Sequence, residues 1–379
     1  MRIPALDMKA QIAPIRKEID KAIADVIDRG GFILGEEVKK LEEEICKYTG
    51  SQYAIGVSNG TDAISLALEA LGIGRGDRVL CPAFTYYATA GAIANIGAVP
   101  VFIDIDPKTY CIDPALLEKH LTGQPKAIIP VHLYGQCADM DAILKIAKEH
   151  NLKVIEDTAQ AFGAICHCEE RRRSLPADKA GTIGDCGTVS FFPGKNLGAC
   201  GDAGMVLAQD KTIAEKLRRL RNQGADASNK YKHIYLGHNK RLDTIQAAIL
   251  RVKLGHLDQW NSKRAENAAY YNEKLADTGL TTPYLPKTNT HIYHQYTLRA
   301  KDKAERDAIV KALQEKDIDA RTFYPIPLHL QPCFSYLGYK KGDFPESEKA
   351  ADEVFSIPVY PELTIEQMNY AIEAIKEQL

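Results

Sequence analysis

A lysine in a constrained turn is the first group in this chain with the means to do covalent chemistry. Residues 188–192 form an apolar, strand-like run that ends at Pro193-Gly194, and Lys195 follows in a loop of small residues. A lysine amine held in this way can form a Schiff base with an aldehyde, and the nearby Ser190 hydroxyl can bind a phosphate. Pyridoxal phosphate carries both groups, so these residues predict a site for it. A surface lysine in a glycine-rich turn is the alternative that this loop alone leaves open.

A carboxylate at the end of a second apolar run suits the same cofactor. Asp157 directly follows the strand-like residues 153–156. The ring of pyridoxal phosphate acts as an electron sink only when its nitrogen is protonated, and an adjacent carboxylate favours that proton. Gln160, one helical turn later, is placed to donate to the ring hydroxyl. A helix-capping role for Asp157 is the competing interpretation.

A glycine and a threonine at the start of a predicted helix offer a phosphate site. Gly60 and Thr61 follow the strand-like residues 53–58 and precede a helix predicted over residues 63–71. The first N–H groups of a helix have no intrahelical acceptor, and the helix dipole attracts an anion to the same end. An ordinary helix cap, without a ligand, is the alternative.

The elements around these residues predict how they meet. Strand-like runs alternate with helical patterns from residue 53 to residue 192, which indicates an α/β fold with a mostly parallel sheet covered by helices on both faces. Ligands of such sheets bind at the carboxyl ends of the strands. The candidate residues that follow a strand end are Gly60, Tyr86, His132, Asp157 and Ser190.

The totals limit the class of protein. With 379 residues the chain is long enough for two domains, and we predict a large cofactor domain over residues 1–255 and a small α+β domain over residues 256–379. The large domain begins with an amphipathic helix predicted over residues 8–30, and the small one has strands predicted near 295–299 and 318–321. A net charge of −2 and the lack of a long apolar run predict no nucleic-acid or membrane partner and a cytoplasmic location.

The nine cysteines predict free thiols in a reducing compartment. Cys166-His167-Cys168 has ligand chemistry, but no second pair stands at zinc spacing, so we predict no metal site. The polar residues 166–185 around it are predicted to form a solvated hairpin.

Six motifs in this order resemble the DegT/DnrJ/EryC1/StrS family of sugar aminotransferases, and the similarity covers essentially the whole chain. They are Asn59-Gly-Thr-Asp62, Pro82-Ala-Phe-Thr-Tyr86, Pro130-Val-His-Leu-Tyr-Gly135, Ile155-Glu-Asp-Thr-Ala-Gln160, Ser190-Phe-Phe-Pro-Gly-Lys195 and Gly237-His-Asn-Lys-Arg-Leu-Asp243. The resemblance implies the aspartate-aminotransferase-like fold and a homodimer with active sites at the interface. It also implies the cofactor contacts: Lys195 as the Schiff-base lysine, Asp157 at the ring nitrogen, Gln160 at the ring hydroxyl, Tyr86 stacked on the ring, and Gly60, Thr61 and Ser190 at the phosphate.

The resemblance also implies contacts to the partner subunit and to the substrate. Asn239 reaches the phosphate of the neighbouring subunit's cofactor, and Arg241 approaches the sugar nucleotide there. Phe32, Tyr324 and His329 are the further substrate-binding candidates, although Tyr324 and His329 would also suit packing of the small domain.

The function implied is a two-stage transfer of an amino group from L-glutamate, which leaves as 2-oxoglutarate, to a keto-sugar nucleotide in amino-sugar and surface-polysaccharide biosynthesis. The loop 323–329 resembles enzymes that make 3-amino sugars, and a 4-keto substrate is the alternative. A pyridoxamine-dependent sugar dehydratase would carry histidine in place of Lys195, and a non-catalytic regulatory homologue would lack Lys195 or Asp157. A nicotinamide dehydrogenase would need a glycine-rich fingerprint after its first strand. The nucleotide, the sugar and the pathway stay open.

Overall fold

The structure is a computed structural model, and it describes residues 1–168, 178–285 and 289–379. The helices in these ranges are α1 (Met8–Ile12), α2 (Arg16–Arg29), α3 (Glu36–Thr49), α4 (Gly60–Ala70), α5 (Ala88–Asn95), α6 (Met140–Glu149), α7 (Lys211–Leu220), α8 (Thr244–Leu254), α9 (Leu257–Lys274), α10 (Lys303–Glu315), α11 (Pro345–Glu353) and α12 (Ile365–Lys376). Within the described part of the chain, none of them combines the length and hydropathy that a membrane crossing requires.

The strands form one large sheet and two small ones. They are β1 (Tyr53–Val57), β2 (Arg78–Pro82), β3 (Val99–Ile103), β4 (Ala127–Ile128), β5 (Lys153–Asp157), β6 (Ile165–Cys166), β7 (Asp178–Lys179), β8 (Cys186–Ser190), β9 (Gly204–Ala208), β10 (Tyr296–Arg299) and β11 (Val354–Ile357). The large sheet has the order β1-β9-β8-β5-β4-β2-β3, and only β9 runs against the other strands of this sheet. This topology confirms the predicted mostly parallel sheet.

Alternating side chains of the strands bury themselves against helices on both faces of the large sheet. On one face, Val79 and Cys81 pack with α4, α5 and α7. On the other face, Leu80 packs with α6, and Ala54 of β1 packs with α3 and α8. Because both faces are covered, the side chains that chemistry can use are the ones at the carboxyl ends of the strands.

The C-terminal part has a hydrophobic cluster of its own. Its members come from α9, β10, α10, β11 and α12, and Ile3 joins them through a parallel bridge to Ile318. This separate cluster supports the division into residues 1–255 and 256–379, which stays a prediction. The strand predicted over 318–321 forms only isolated bridges there, one of them between Arg321 and Ser356.

The helix predicted over residues 8–30 is interrupted. Between α1 and α2 the chain makes a short 3-10 turn, Ala13–Ile15, with Pro14 in its first turn. Proline lacks the N–H that would bond the carbonyl four residues earlier, and its ring crowds that carbonyl. The regular α-helix is therefore broken at this point.

The prediction of nine free thiols was wrong for one pair. Cys137 and Cys166 are joined in a buried disulfide, with Cα atoms 5.8 Å apart. It ties the loop after β4 to the base of the antiparallel pair β6 and β7. The antiparallel pairing of β6 with β7 agrees with a hairpin in this region. Residues 169–177 of the predicted hairpin lie outside the described residues.

Candidate active site

A cavity of about 920 Å³ opens at the carboxyl ends of the parallel strands. Its floor is formed by the ends of β1, β5 and β8, and its far wall by residues 319–324 and 356–359 of the C-terminal part. It is lined by eight of the predicted site residues: Gly60, Thr61, Tyr86, Asp157, Gln160, Ser190, Lys195 and Tyr324. The strand ends meet because the strands are parallel, as the sequence argument required.

Lys195 and Asp157 are the charged pair on the floor of this cavity. Burial lowers the pKa of the Lys195 amine to about 8, and the negative charge of Asp157 acts in the opposite direction. Burial also raises the pKa of the Asp157 carboxyl, while the Ala159 N–H, the Thr89 hydroxyl and the Lys195 charge lower it. Thr89 Oγ1 donates to Asp157 Oδ2 at 2.9 Å, and the Ala159 N–H donates to Oδ1 at 3.1 Å. The carboxylate is therefore fixed in direction.

The start of α4 and the end of β8 form a narrow cradle for an anion. The N–H groups of Gly60 and Thr61, the first two of α4, have no acceptor within the described residues, since Asn59 caps the helix through the N–H of Asp62. Ser190 Oγ accepts the Phe192 N–H at 3.3 Å, which leaves its own hydroxyl hydrogen to donate. A Cβ at residue 60 would lie 2.6 Å from Ser190 Cβ. The cradle fits a phosphate and only a glycine at residue 60 leaves it open.

A polar bridge crosses the cavity from the large sheet to the C-terminal part. Gln160 Oε1 accepts the Tyr134 N–H at 2.7 Å, and Gln160 Nε2 donates to the Tyr324 hydroxyl at 2.9 Å. The ring of Tyr86 lies 6.0 Å from that of Tyr324, and Tyr86 is exposed. Tyr86 thus leaves an aromatic face available to a planar ligand.

A half-buried histidine, His294, lines the same cavity as Lys195, and sequence reasoning missed it. Asn196 Nδ2 donates to Asn261 Oδ1 at 2.8 Å and to the Ile292 carbonyl at 3.1 Å. Asn196 Oδ1 must therefore accept from His294 Nδ1, 3.1 Å away, which leaves His294 Nε2 as an acceptor. Burial and the nearby Lys195 charge hold the pKa of His294 well below its ordinary value, so the ring stays neutral.

His329 does not reach the cavity, in contrast to the expectation for it. Its ring is buried, and Nε2 bonds Glu348 Oε1 at 3.0 Å. His132, which also follows a strand end, is likewise turned into the core, where Nε2 bonds Glu156 Oε2 at 2.9 Å and Nδ1 accepts the Ala138 N–H. Both nitrogens of His132 are bonded inside the protein, whereas His329 is bonded through Nε2 alone. A position in the sequence cannot reveal these directions of the side chains.

His132 also lies with Cys137 and Cys166 in a group whose ligand atoms are within 4.8 Å of one another. Its two ring nitrogens are engaged by Glu156 and by Ala138, and the two sulfur atoms are bonded to each other. Metal binding by all three residues would require reduction of the disulfide and the loss of at least one of the two histidine contacts.

Besides His329, three predicted residues lie outside the cavity of this chain. The carbonyl of Phe32 accepts the Thr244 N–H, Asn239 bridges to Asn222, and Arg241 Nη1 donates to the Asn222 side chain at 3.2 Å. Their predicted roles toward a partner subunit and the sugar nucleotide stay predictions.

Thr89 and Asn196 are further positions that the sequence interpretation overlooked. Asn196 directly follows Lys195, and Thr89 is the second residue of α5, three positions after Tyr86. Each could have been noticed as a polar residue beside a predicted site residue.

A half-buried lysine and a fixed carboxylate on the floor of such a cavity, with an anion cradle beside them, define a pyridoxal-phosphate-dependent enzyme of the α/β type. The chain belongs to the DegT/DnrJ/EryC1/StrS aminotransferase family, whose model matches residues 13–376. The resemblance seen in the sequence is thereby confirmed, as are the fold, the cofactor and the enzyme class.

Known proteins are similar over the full length of the chain. A protein of Geobacillus stearothermophilus named pleiotropic regulatory protein is 48% identical over 100% of this chain and 98% of its own. A UDP-N-acetyl-3-dehydro-alpha-D-glucosamine 3-aminotransferase of Acidithiobacillus ferrooxidans is 42% identical over 100% of this chain and 98% of its own. The crystal structure of Streptomyces venezuelae DesV in complex with a ketimine intermediate has a TM-score of 0.93 at 40% identity, and the match covers 99% of this chain and 98% of that one. The protein is a sugar aminotransferase.

Proposed function

We propose that the protein moves an amino group from L-glutamate to the C3 keto group of a nucleotide-linked sugar, as a cytoplasmic homodimer. The observation that carries this proposal is the pair of half-buried Lys195 and buried Asp157 beside an open anion cradle. When bound, pyridoxal phosphate supplies an aldehyde that reacts with amines and a ring that delocalises the electrons released at the amino-acid carbon.

Lys195 is the residue that we assign to covalent attachment and to proton transfer. An amine attacks an aldehyde, or accepts a proton, only in its neutral form. A pKa of about 8 makes that form accessible near neutral pH. When it is not attached to the cofactor, the free Lys195 Nζ would accept a proton from the carbon that bears the donor's amino group and would carry that proton within the site.

Asp157 would hold the proton on the ring nitrogen. Its two oxygens already accept from Thr89 and Ala159, so the carboxylate has one orientation toward the cavity. A positive ring nitrogen beside it would also stabilise a buried negative charge. Gly60, Thr61 and Ser190 would hold the phosphate, Gln160 the ring hydroxyl, and Tyr86 would cover the ring.

His294 would keep Lys195 in place during the reaction. His294 lines the same cavity as Lys195, and its neutral Nε2 is an acceptor there. Asn196, which itself bonds Asn261 of α9, accepts from Nδ1 and so orients the His294 ring. A neutral acceptor can take a hydrogen bond from the Lys195 ammonium without adding a second positive charge to the site.

The choice of C3 is supported by the relatives and by one loop. A 42% identical relative is named as a 3-aminotransferase, and residues 323–329 resemble those of 3-amino-sugar enzymes. A C4 keto sugar is the alternative. The 48% identical relative named as a regulatory protein raises a second candidate, a regulatory role, although Lys195 and Asp157 are both present in this chain.

The experiment follows the two halves of the reaction separately. The purified protein, loaded with pyridoxal phosphate, is treated with L-glutamate, and loss of the visible band of the lysine-bound cofactor is recorded. A 3-keto or a 4-keto nucleotide sugar is then added to separate samples. Return of the band with the 3-keto sugar alone supports the proposal, and return with the 4-keto sugar alone moves the amination to C4. A wild-type band that glutamate never changes would favour the regulatory role. The control Lys195→Ala has no amine to attach the cofactor and should lack this band from the start.

A further inference from the structure

Among the described residues, the cavity wall carries two cationic side chains that stay charged at neutral or mildly acidic pH, Lys195 and Arg321. Lys195 is committed to covalent chemistry in the proposed function. L-glutamate brings two carboxylates, and some nucleotide-linked sugars bring one at C6. A charged donor forms the strongest hydrogen bonds to a buried or half-buried carboxylate, so the second cation becomes the candidate partner.

The backbone and an ion pair hold Arg321 in position. Its N–H donates to the Ser356 carbonyl at 3.1 Å, and Nε and Nη2 donate to the two oxygens of Asp319 at 2.7 Å and 2.6 Å. Asp319 Oδ2 also accepts the Ala5 N–H at 3.3 Å. The guanidinium is therefore oriented before any ligand arrives, which lowers the entropy cost of binding.

The Arg321 fork still has donors to offer. A guanidinium has about five N–H groups, and the contacts to Asp319 use two of them. The side chain is 57% exposed and lines the cavity, whereas a purely structural ion pair would have no need to face it. The bond to Asp319 raises the pKa of Arg321 further, so its charge is permanent.

We propose that Arg321, oriented by Asp319, is the binding site for a carboxylate carried by the substrate, on the wall of the cavity that faces Lys195. This inference rests on the proposed function for its choice of substrates. The carboxylate belongs either to the amino donor or to a uronic-acid sugar, and the same guanidinium chemistry serves both.

Binding of dead-end ligands to the holoenzyme tests Arg321 without turnover. Calorimetry measures the Kd of glutarate, which has the two carboxylates of the donor, and of UDP-glucuronate and UDP-glucose, which differ in the C6 carboxylate. The variant is Arg321→Gln. The control is Arg299→Gln, because Arg299 makes a similar pair with Glu353 at 2.6 Å and does not line the cavity.

A charged hydrogen bond of this kind corresponds to about a 10- to 100-fold change in Kd. Weaker glutarate binding in Arg321→Gln alone identifies the donor as the source of the carboxylate. Loss of a preference for UDP-glucuronate over UDP-glucose in that variant identifies the sugar. Unchanged Kd values for all three ligands, equal losses in Arg299→Gln, or no carboxylate binding by the wild type overturn the inference. Failure of the proposed function is seen separately, as a visible band that glutamate does not change.

Discussion

The pKa of Lys195 can be tested by removing the charge that opposes its burial. Burial lowers this pKa from the ordinary 10.5 to about 8, and Asp157 raises it. Substitution Asp157→Asn keeps the shape of the side chain and deletes the charge, so the pKa of Lys195 must fall below 8. At pH 7, a pKa of about 8 leaves roughly one amine in ten neutral, against about one in 3,000 at 10.5. A further fall of one unit would raise the neutral fraction at pH 7 about fivefold.

The assay measures how fast apo protein captures pyridoxal phosphate between pH 6 and pH 10. Samples are reduced with borohydride at short times, and mass spectrometry quantifies the modified Lys195 peptide. The wild-type rate should rise with pH around a midpoint near 8, because only the deprotonated amine attacks the aldehyde. The control Asp202→Asn removes another carboxylate from the cavity wall and should keep that midpoint.

The two activities of Asp157→Asn should move in opposite directions. Capture at pH 7 becomes faster, while turnover with glutamate becomes slower because the ring nitrogen loses the carboxylate that holds its proton. A wild-type midpoint near 10, or a midpoint that rises in Asp157→Asn, would refute the reasoning from burial and charge.

Three further changes test the cradle, the fixed carboxylate and the homodimer. Gly60→Ala places a Cβ 2.6 Å from Ser190 Cβ, and fluorescence titration of the apo protein should show at least about tenfold weaker cofactor binding, partly restored by Ser190→Gly. Thr89→Val removes the hydrogen bond to Asp157 and should lower kcat with glutamate about tenfold, with cofactor affinity within about twofold; equal losses in both would mean a structural role. Leu236, 97% exposed in the single chain, becomes charged in Leu236→Asp, which should convert dimer to monomer in sedimentation velocity; a wild type that sediments as a monomer contradicts the homodimer.

The sequence predicted the parts of the site that depend on strand ends. Lys195, Asp157 and Ser190 each follow an apolar run, and parallel strands must bring their carboxyl ends to one edge of the sheet. The link from Asn196 to His294 was out of reach, because it joins two residues that lie 98 positions apart in the sequence. The prediction that Cys137 and Cys166 are free thiols failed for the same reason. The number of residues between two cysteines does not give the distance between their sulfur atoms.

The sequence also could not predict which histidines line the cavity. His294 lines the cavity, whereas His329 is buried against Glu348, although His329 stands in the more distinctive loop. The direction of a side chain at a turn depends on its neighbours in three dimensions. Local patterns predict the strand or helix, and the packing of the C-terminal part decides which polar groups face the ligand.

The close packing around the cradle constrains how this protein can change over generations. Gly60 touches Ser190, and a Cβ on Gly204 would collide with the Asn59 backbone, so one small volume depends on positions scattered over more than a hundred residues of sequence. Substitution of a larger residue at either glycine places atoms in the space of the cradle, and a second substitution would then be needed to restore that space. A related protein that no longer binds the cofactor would not need this space. We therefore expect such a protein to have lost the small residues at all of these positions together.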